Sequence, residues 1–561
     1  MRSNDVKTKN SLRPAVLGLA AISLGALGVN TSAFAQEPGA GMYFYPGNLV
    51  VSRSVYDNNA NNVKVGALLP PNCENTVGRC AKATNNGTYP YVFNNDAVDG
   101  SFGITSKIFL DQITPSGFLL DTLEVPNSSL KNIRSESNQL VTSFSSKSEG
   151  ALHLSTDGKL LTFIDYVAPI NALDVSNSNT PGAVDPTNPD GAAYYRAVAT
   201  VNRAGRFTFT ETNAYSGNNG RVAILNNTRG ADVFYTSGNA GNGANPQPAD
   251  VVLGAGAQFI VPARAPESFQ NVMAPTPLAS FSETVLGAKA DKIGKDDNFR
   301  GMTIFNDVVY YTKGSGGNGV NTVYFVDTTG TACPKGVGVP ALGATLPIAP
   351  LTYDPARLAV SGLPTNMCIL SGFPTRPAKT ANPAAFPFGI WFADAETLYV
   401  ADEGDEYTGG ADLYTHAAAQ TTAGIQKWVF NSSTQNWSLA YTLHTGLGLG
   451  QPYVVKRYPA GNNVLTDLPW APATDGVRNL TGIVDDGKVT LYGLTSTVSG
   501  SGDMGADPNR LVSVTDMLDN KDAAVAAKER FRVVRKAEFA EVLRGVSFAP
   551  RTREDEDRDT E

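Results

Sequence analysis

Arg300-Gly-Met-Thr-Ile-Phe305 opens a short apolar run, and near-copies of it recur along the chain. Arg544-Gly-Val-Ser-Phe548, Arg478-Asn-Leu-Thr-Gly482 and Arg221-Val-Ala-Ile-Leu225 read the same way. Phe388-Gly-Ile-Trp-Phe392 and Glu149-Gly-Ala-Leu-His153 fit with the first residue exchanged. Successive starts lie 72, 79, 88, 90 and 66 residues apart. That spacing is too irregular for a strict repeat and suits one supersecondary unit with loops of variable length. Most copies lead through a turn into a second apolar run. Each therefore reads as the innermost strand of a blade, its first residue facing a common axis, and the fold expected is an all-β propeller.

Working outward, strand units of blade form follow the starts that precede Arg544. The clearest is Phe388–Phe392, Thr397–Ala401, Gly424–Phe430 and Trp437–Leu443. Turns such as Asp157-Gly158 and Asp485-Asp-Gly487 supply the residues that tight hairpins need. Three strands at the N-terminus and the lone strand Leu543–Ala549 add up to one shared blade, which would close the ring and remove exposed sheet edges. The expectation is six blades over residues 36–550, although Ala263–Asn298 leaves room for further strands. A densely charged tail, residues 551–561, reads as disordered.

The 561 residues include 55 Gly and 34 Pro with few Cys and Met, which suits many short strands joined by turns. The formal charge of −8 gives no sign of a nucleic-acid partner. Arg2, Lys7, Lys9 and Arg13 precede an apolar run and then Ala33-Phe34-Ala35, the order of a secretory signal peptide cut after Ala35. No later stretch is long and apolar enough to insert in a membrane. Export places the chain in the periplasm or beyond and favours two local disulfides, Cys73–Cys80 and Cys333–Cys368.

Ser148-Glu-Gly-Ala-Leu152, Asn213-Ala-Tyr-Ser-Gly-Asn-Asn219, Gly424-Ile-Gln-Lys-Trp428, Asn509-Arg-Leu-Val-Ser-Val514 and Leu543-Arg-Gly-Val-Ser-Phe-Ala-Pro550 resemble a family of exported bacterial β-propeller proteins, mostly without assigned activity. The resemblance covers nearly all of the mature chain. It implies the fold and export and carries no catalytic assignment. Thr397-Leu-Tyr-Val-Ala-Asp402 also resembles the blade phrase of NHL and gluconolactonase-type propellers.

The register above sends Glu149, Arg221, Arg300, Phe388, Arg478 and Arg544 to the axis. Converging guanidiniums repel unless an anion or nearby carboxylates compensate. Such a site suits a carboxylate, phosphate or phenolate oxygen. Glu149 is then the expected acid/base, with Arg221, Arg300, Arg478 and Arg544 stabilising an oxyanion. Phe388, Tyr215, Asn219 and Asp402 are the expected substrate-binding residues. The competing reading is that these arginines pair with carbonyls and acids of neighbouring blades and simply plug the channel.

The acidic run Asp402, Glu403, Asp405, Glu406 and Asp412 could hold a structural calcium. A calcium-dependent lactonase is disfavoured, because four arginines would oppose a divalent ion at the axis. No organic cofactor motif and no Gly-x-Ser-x-Gly elbow is present. His153 reads as a packed core group, His416 and His444 as solvated, and Trp428 and Trp437 as packing between blades. The expected function is a monomeric exported hydrolase acting on a small, aromatic or plant-derived ester, lactone or aryl ether at the channel mouth. The alternative is a non-catalytic propeller that binds a ligand or an envelope protein; fold alone cannot choose.

Overall fold

The computed structural model describes residues 43–73, 80–126, 140–184, 188, 190–239, 256–262, 271–272, 276–277, 298–314, 319–349, 351, 366–381 and 383–551. The expected signal peptide, the Val251–Leu253 strand and the tail beyond Arg551 lie outside them, as does nearly all of the Ala263–Asn298 stretch. The described chain is all-β with a propeller-like arrangement.

Four sheets have the blade form, each a run of antiparallel neighbours in chain order. The first is Gly220–Asn226, Val233–Gly238, Ala257–Ile260 and Thr276–Pro277. Next come Met302–Phe305, Val308–Lys313, Thr322–Val326 and Met367–Leu370, with Val337–Gly338 added in parallel at the edge. Pro387–Phe392, Thr397–Asp402, Gly424–Asn431 and Asn436–Leu443 form the third. Ala473–Asp485, Lys488–Val498, Arg510–Met517 and Arg532–Lys536 form the fourth. Hairpin turns are set where expected: Asn306 and Asp307 take φ 46° and 60°, and Asp486 and Gly487 take 46° and 71°. Two successive left-handed residues make the turn whose twist matches its flanking strands.

The expectation of six separate blades is corrected: four blade sheets are separate. The strands expected in the shared blade and the strands from His153 to Thr212, which follow the Glu149 start, belong to one ten-stranded sheet. Leu140–Ser143 joins them, pairing with Thr105–Ile113 on one side and with Leu160–Val167 on the other. The inner strand expected at Gly150–Ser155 is only His153–Leu154. The C-terminal strand Glu541–Phe548 pairs with Leu49–Val55, Leu49 opposite Phe548 and Val55 opposite Glu541. Both ends of the described chain are thus tied into one sheet.

The recurring glycine has a packing reason. A Cβ on Gly301 would lie 2.0 Å from the Phe388 carbonyl oxygen, one on Gly389 2.6 Å from that of Arg478, and one on Gly545 2.5 Å from that of Gly150. Consecutive inner strands therefore approach backbone to backbone, and only a residue without a side chain fits between them. Where Asn479 replaces glycine, its Nδ2 donates to the Arg544 carbonyl at 2.5 Å. Farther out, aromatic rings fill the space between sheets. Phe392 stacks on Phe305 at 4.5 Å and meets Trp437 at 5.9 Å, and Trp428 stacks on Phe373 at 3.9 Å. Each such buried ring contributes about 1.5–3 kcal/mol. Both tryptophans are therefore core residues.

The two disulfides are Cys73–Cys80 and Cys333–Cys368, with Cα atoms 5.8 and 5.9 Å apart. Among the described residues, no helix is long and apolar enough to cross a membrane.

Candidate functional site

The residues expected at the axis lie in or just before the inner strands. Glu149 is fully buried and accepts hydrogen bonds from Thr142 Oγ1 and Ser143 N, both at 3.0 Å, from Asn219 Nδ2 at 3.3 Å, and from Tyr166 Oη. Four donors occupy what two carboxylate oxygens can accept. Arg478 donates from Nε to Glu403 at 3.0 Å and from Nη2 to Glu406 at 2.9 Å. Glu406 also takes the Lys147 ammonium. Burial would raise the Glu406 carboxyl, but Lys147 and Arg478 outweigh it and hold it down at about 2. Arg300 donates from Nη1 to Ser148 Oγ at 2.9 Å and lies over the buried Phe388 ring at 6.0 Å. Arg221 reaches Asn298 and the Phe299 carbonyl. Arg544 donates to Ser54 Oγ at 2.9 Å and to the Ser143 carbonyl.

Two cavities lie at the two ends of these strands. The larger, 800 Å³, is bounded by their C-terminal halves and includes His153, Ile304, Trp391, Thr481 and Phe548. The smaller, 360 Å³, sits at their N-terminal ends and is lined by Asp96, Ser145, Lys147, Ser148, Asn219, Arg300 and Asp503 among others. Its chemistry is the denser of the two. Burial and the neighbouring Asp503 push the Asp96 carboxyl up to about 8. Burial likewise raises Asp503, which accepts from Gly505 N at 2.8 Å. Both carboxyls are therefore biased toward the protonated form, Asp96 by the charge of Asp503 as well as by burial. Lys147 and Arg300 supply positive charge beside them.

Of the sequence-derived residues, Arg300 and Asn219 line this cleft. Glu149, Arg221, Arg478 and Arg544 lie buried behind its floor. Tyr215 is in a sheet wall, its hydroxyl 2.7 Å from Thr236 Oγ1. Asp402 is fully buried and braces a loop, accepting from Phe386 N at 2.9 Å and Gly404 N at 3.1 Å. Phe388 packs beneath Arg300 and offers no wall to the cleft. The acidic run does not gather as a cation cage. Glu403 and Glu406 turn to Arg478, Asp405 pairs with His416 Nε2 at 2.7 Å, and Asp412 takes the Tyr407 hydroxyl. His416, read as solvated, is therefore paired and stacks on Tyr407 at 3.9 Å. Among the described residues, the one group of three possible ligands is Asp327 with Cys333 and Cys368, and both cysteines are in the disulfide.

The sequence reading missed Asp96, on the short helical turn Tyr91–Ala97, and the loop residues Lys147 and Asp503. It also read Glu403 and Glu406 as part of an acidic run that could hold a structural calcium. One signal was present: four converging arginines need counter-charge, and Asp402–Glu406 follows directly on a blade strand.

No family model and no curated protein matches this chain. Among solved structures, the Bombyx mori GH32 beta-fructofuranosidase is similar at 9% identity, covering 69% of this chain, with a TM-score of 0.28. The chain spans 62% of that protein's length. A polysaccharide lyase of family PL25, ulvan lyase, is similar at 11% identity over 90% of this chain and 99% of its own, with a TM-score of 0.29. The phage phi92 endosialidase has 10% identity over 77% and 53%, with a TM-score of 0.24. At these scores the likenesses carry no argument about activity.

Proposed function

We propose that this protein is an exported hydrolase working in the cleft at the N-terminal ends of the inner strands, on a small polar substrate held through an ester, lactone or ether bond. The observation that carries the reading is that Asp96 and Asp503, both with raised carboxyls, line one cleft with Lys147 and Arg300. The protonated acid can donate to the leaving oxygen while the other carboxylate takes a proton from the attacking water. Lys147 and Arg300 offset negative charge that develops on the substrate. The acid–base role expected of Glu149 passes to this pair, since Glu149 is walled in by its four donors. The cleft lining is rich in serine and asparagine, which favours a hydroxylated substrate over an aromatic one.

We also infer that the four blade sheets and the ten-stranded sheet close into one ring. Contacts between consecutive inner strands support it: Gly545 to Gly150, Thr156 N to the Leu225 carbonyl at 2.9 Å, Arg221 to Phe299, Gly301 to Phe388, Gly389 to Arg478, and Asn479 to Arg544.

The second reading, a non-catalytic binding propeller, is favoured by how fully Glu149 and Arg478 are paired. A hydrolysis screen over ester, lactone and glycoside model compounds, with Asp96→Asn and Asp503→Asn alongside, separates the two. Turnover lost in both folded variants supports the hydrolase. No turnover by the wild type on any compound leaves the binding module.

A further inference from the structure

Arg221 is 3% exposed, and no carboxylate lies within hydrogen-bond distance of it among the described residues. Its Nη1 is spent on two neutral acceptors, Asn298 Oδ1 and the Phe299 carbonyl, and its Nε has no partner there. The Phe299 contact sets Arg221 against the residue that precedes Arg300. Arg300, 9% exposed, repeats the pattern: Nη1 goes to Ser148 Oγ, and Nε has no hydrogen-bond partner, its nearest carboxylate oxygen being Glu403 Oε1 at 4.0 Å. Arg478, by contrast, has two carboxylates at 3.0 Å or less.

Lys147, Arg221, Arg300, Arg478 and Arg544 gather near Glu149, Glu403 and Glu406. Arg221, Arg300 and Arg544 each lack a carboxylate within hydrogen-bond distance among the described residues, and of these three only Arg300 lines the cleft. A buried cation lacking its counter-charge is strongly unfavourable. Burial, together with Arg300 beside it, pushes the Arg221 guanidinium well below its usual range. Asn219 and Ser148, on the cleft wall next to the two arginines, leave Arg300 open to a group entering from the cleft.

We propose that a carboxylate seats on Arg300 at the floor of the cleft, with the buried Arg221 behind it adding positive charge, so that the molecule bound there carries an acidic group. The hydrolase reading bears only on whether that molecule is then cleaved. A guanidinium with a free N–H donor matches the flat, two-oxygen geometry of a carboxylate. A small inorganic anion offers the same charge from another source.

The test is calorimetric titration of the full chain with sodium acetate, with uncharged acetamide as the control and sodium bromide as the inorganic arm. Saturable one-site binding of acetate, absent with acetamide and at least tenfold weaker in Arg221→Gln and Arg300→Gln, is the expected result. Bromide bound without acetate would make this a halide site and overturn the proposal. Acetate bound equally by the variants, or no acetate binding, would overturn it too. Should Arg221→Gln fail to fold, Arg300→Gln decides alone. Binding is read without turnover, so a failed hydrolysis screen and a failed titration are separate results.

Discussion

Arg478 and Glu403 form a buried ion pair, Nε to Oε2 at 3.0 Å, with both side chains nearly excluded from solvent. The same guanidinium reaches Glu406, so one arginine neutralises two acids supplied by a loop of the preceding blade. Such a pair adds little net stability over an apolar substitute, but removing one member strands the others. Arg478→Met should lower the unfolding free energy by about 3–5 kcal/mol. Adding Glu403→Gln and Glu406→Gln should recover much of that loss. Urea denaturation measures both, and a loss under about 1 kcal/mol for the single variant would show that the pair is already hydrated.

Asp96→Asn should fold normally and lower kcat by about 100-fold or more on any compound the wild type hydrolyses. Wild-type activity should decline as pH rises through about 8, where Asp96 loses its proton. A profile flat to pH 10 would remove Asp96 from the chemistry.

Stability should depend on pH through buried acids. Asp475 is pushed up to about 8, chiefly by burial, although Glu406 N and Gln420 donate to it. The unfolded chain gives up this proton near pH 4, whereas the folded chain keeps it to about 8. The folded state thus binds more protons across that window, and stability falls as pH rises through it. Asp475→Asn should flatten the decline in Tm between pH 5 and 8; an unchanged slope would assign it to other groups. Glu406 acts in the opposite sense, its contribution being lost as pH falls toward 2.

Gly301→Ala should destabilise by about 1–3 kcal/mol, because its Cβ would meet the Phe388 carbonyl at 2.0 Å. Gly100→Ala, where a Cβ meets nothing within 4 Å, is the control and should change Tm little. Equal effects of the two would mean that the inner strands can part at little cost.

The blade starts were legible because they are local. Arginine, glycine and an apolar run sit side by side, and each copy must solve the same crowding near the axis. The cysteine pairs were legible too, since short separations bring their Cα atoms together. The Leu140–Ser143 strand that merges two units was not, because a four-residue stretch carries no pattern stating which strands lie on its two sides.

The sequence by itself determined the all-β class, the blade phrases and the set of charges at the inner-strand starts, because strand period and turn residues act over a few positions. Tertiary structure alone decided which charges met. It walled Glu149 in with Thr142, Ser143, Tyr166 and Asn219, and it turned Glu403 and Glu406 onto Arg478. It also brought Asp96, Lys147 and Asp503 from separate segments into one cleft. Coulombic and hydrogen-bond partners are chosen by distance in space, and for segments far apart in the chain that distance is set only when the sheets pack.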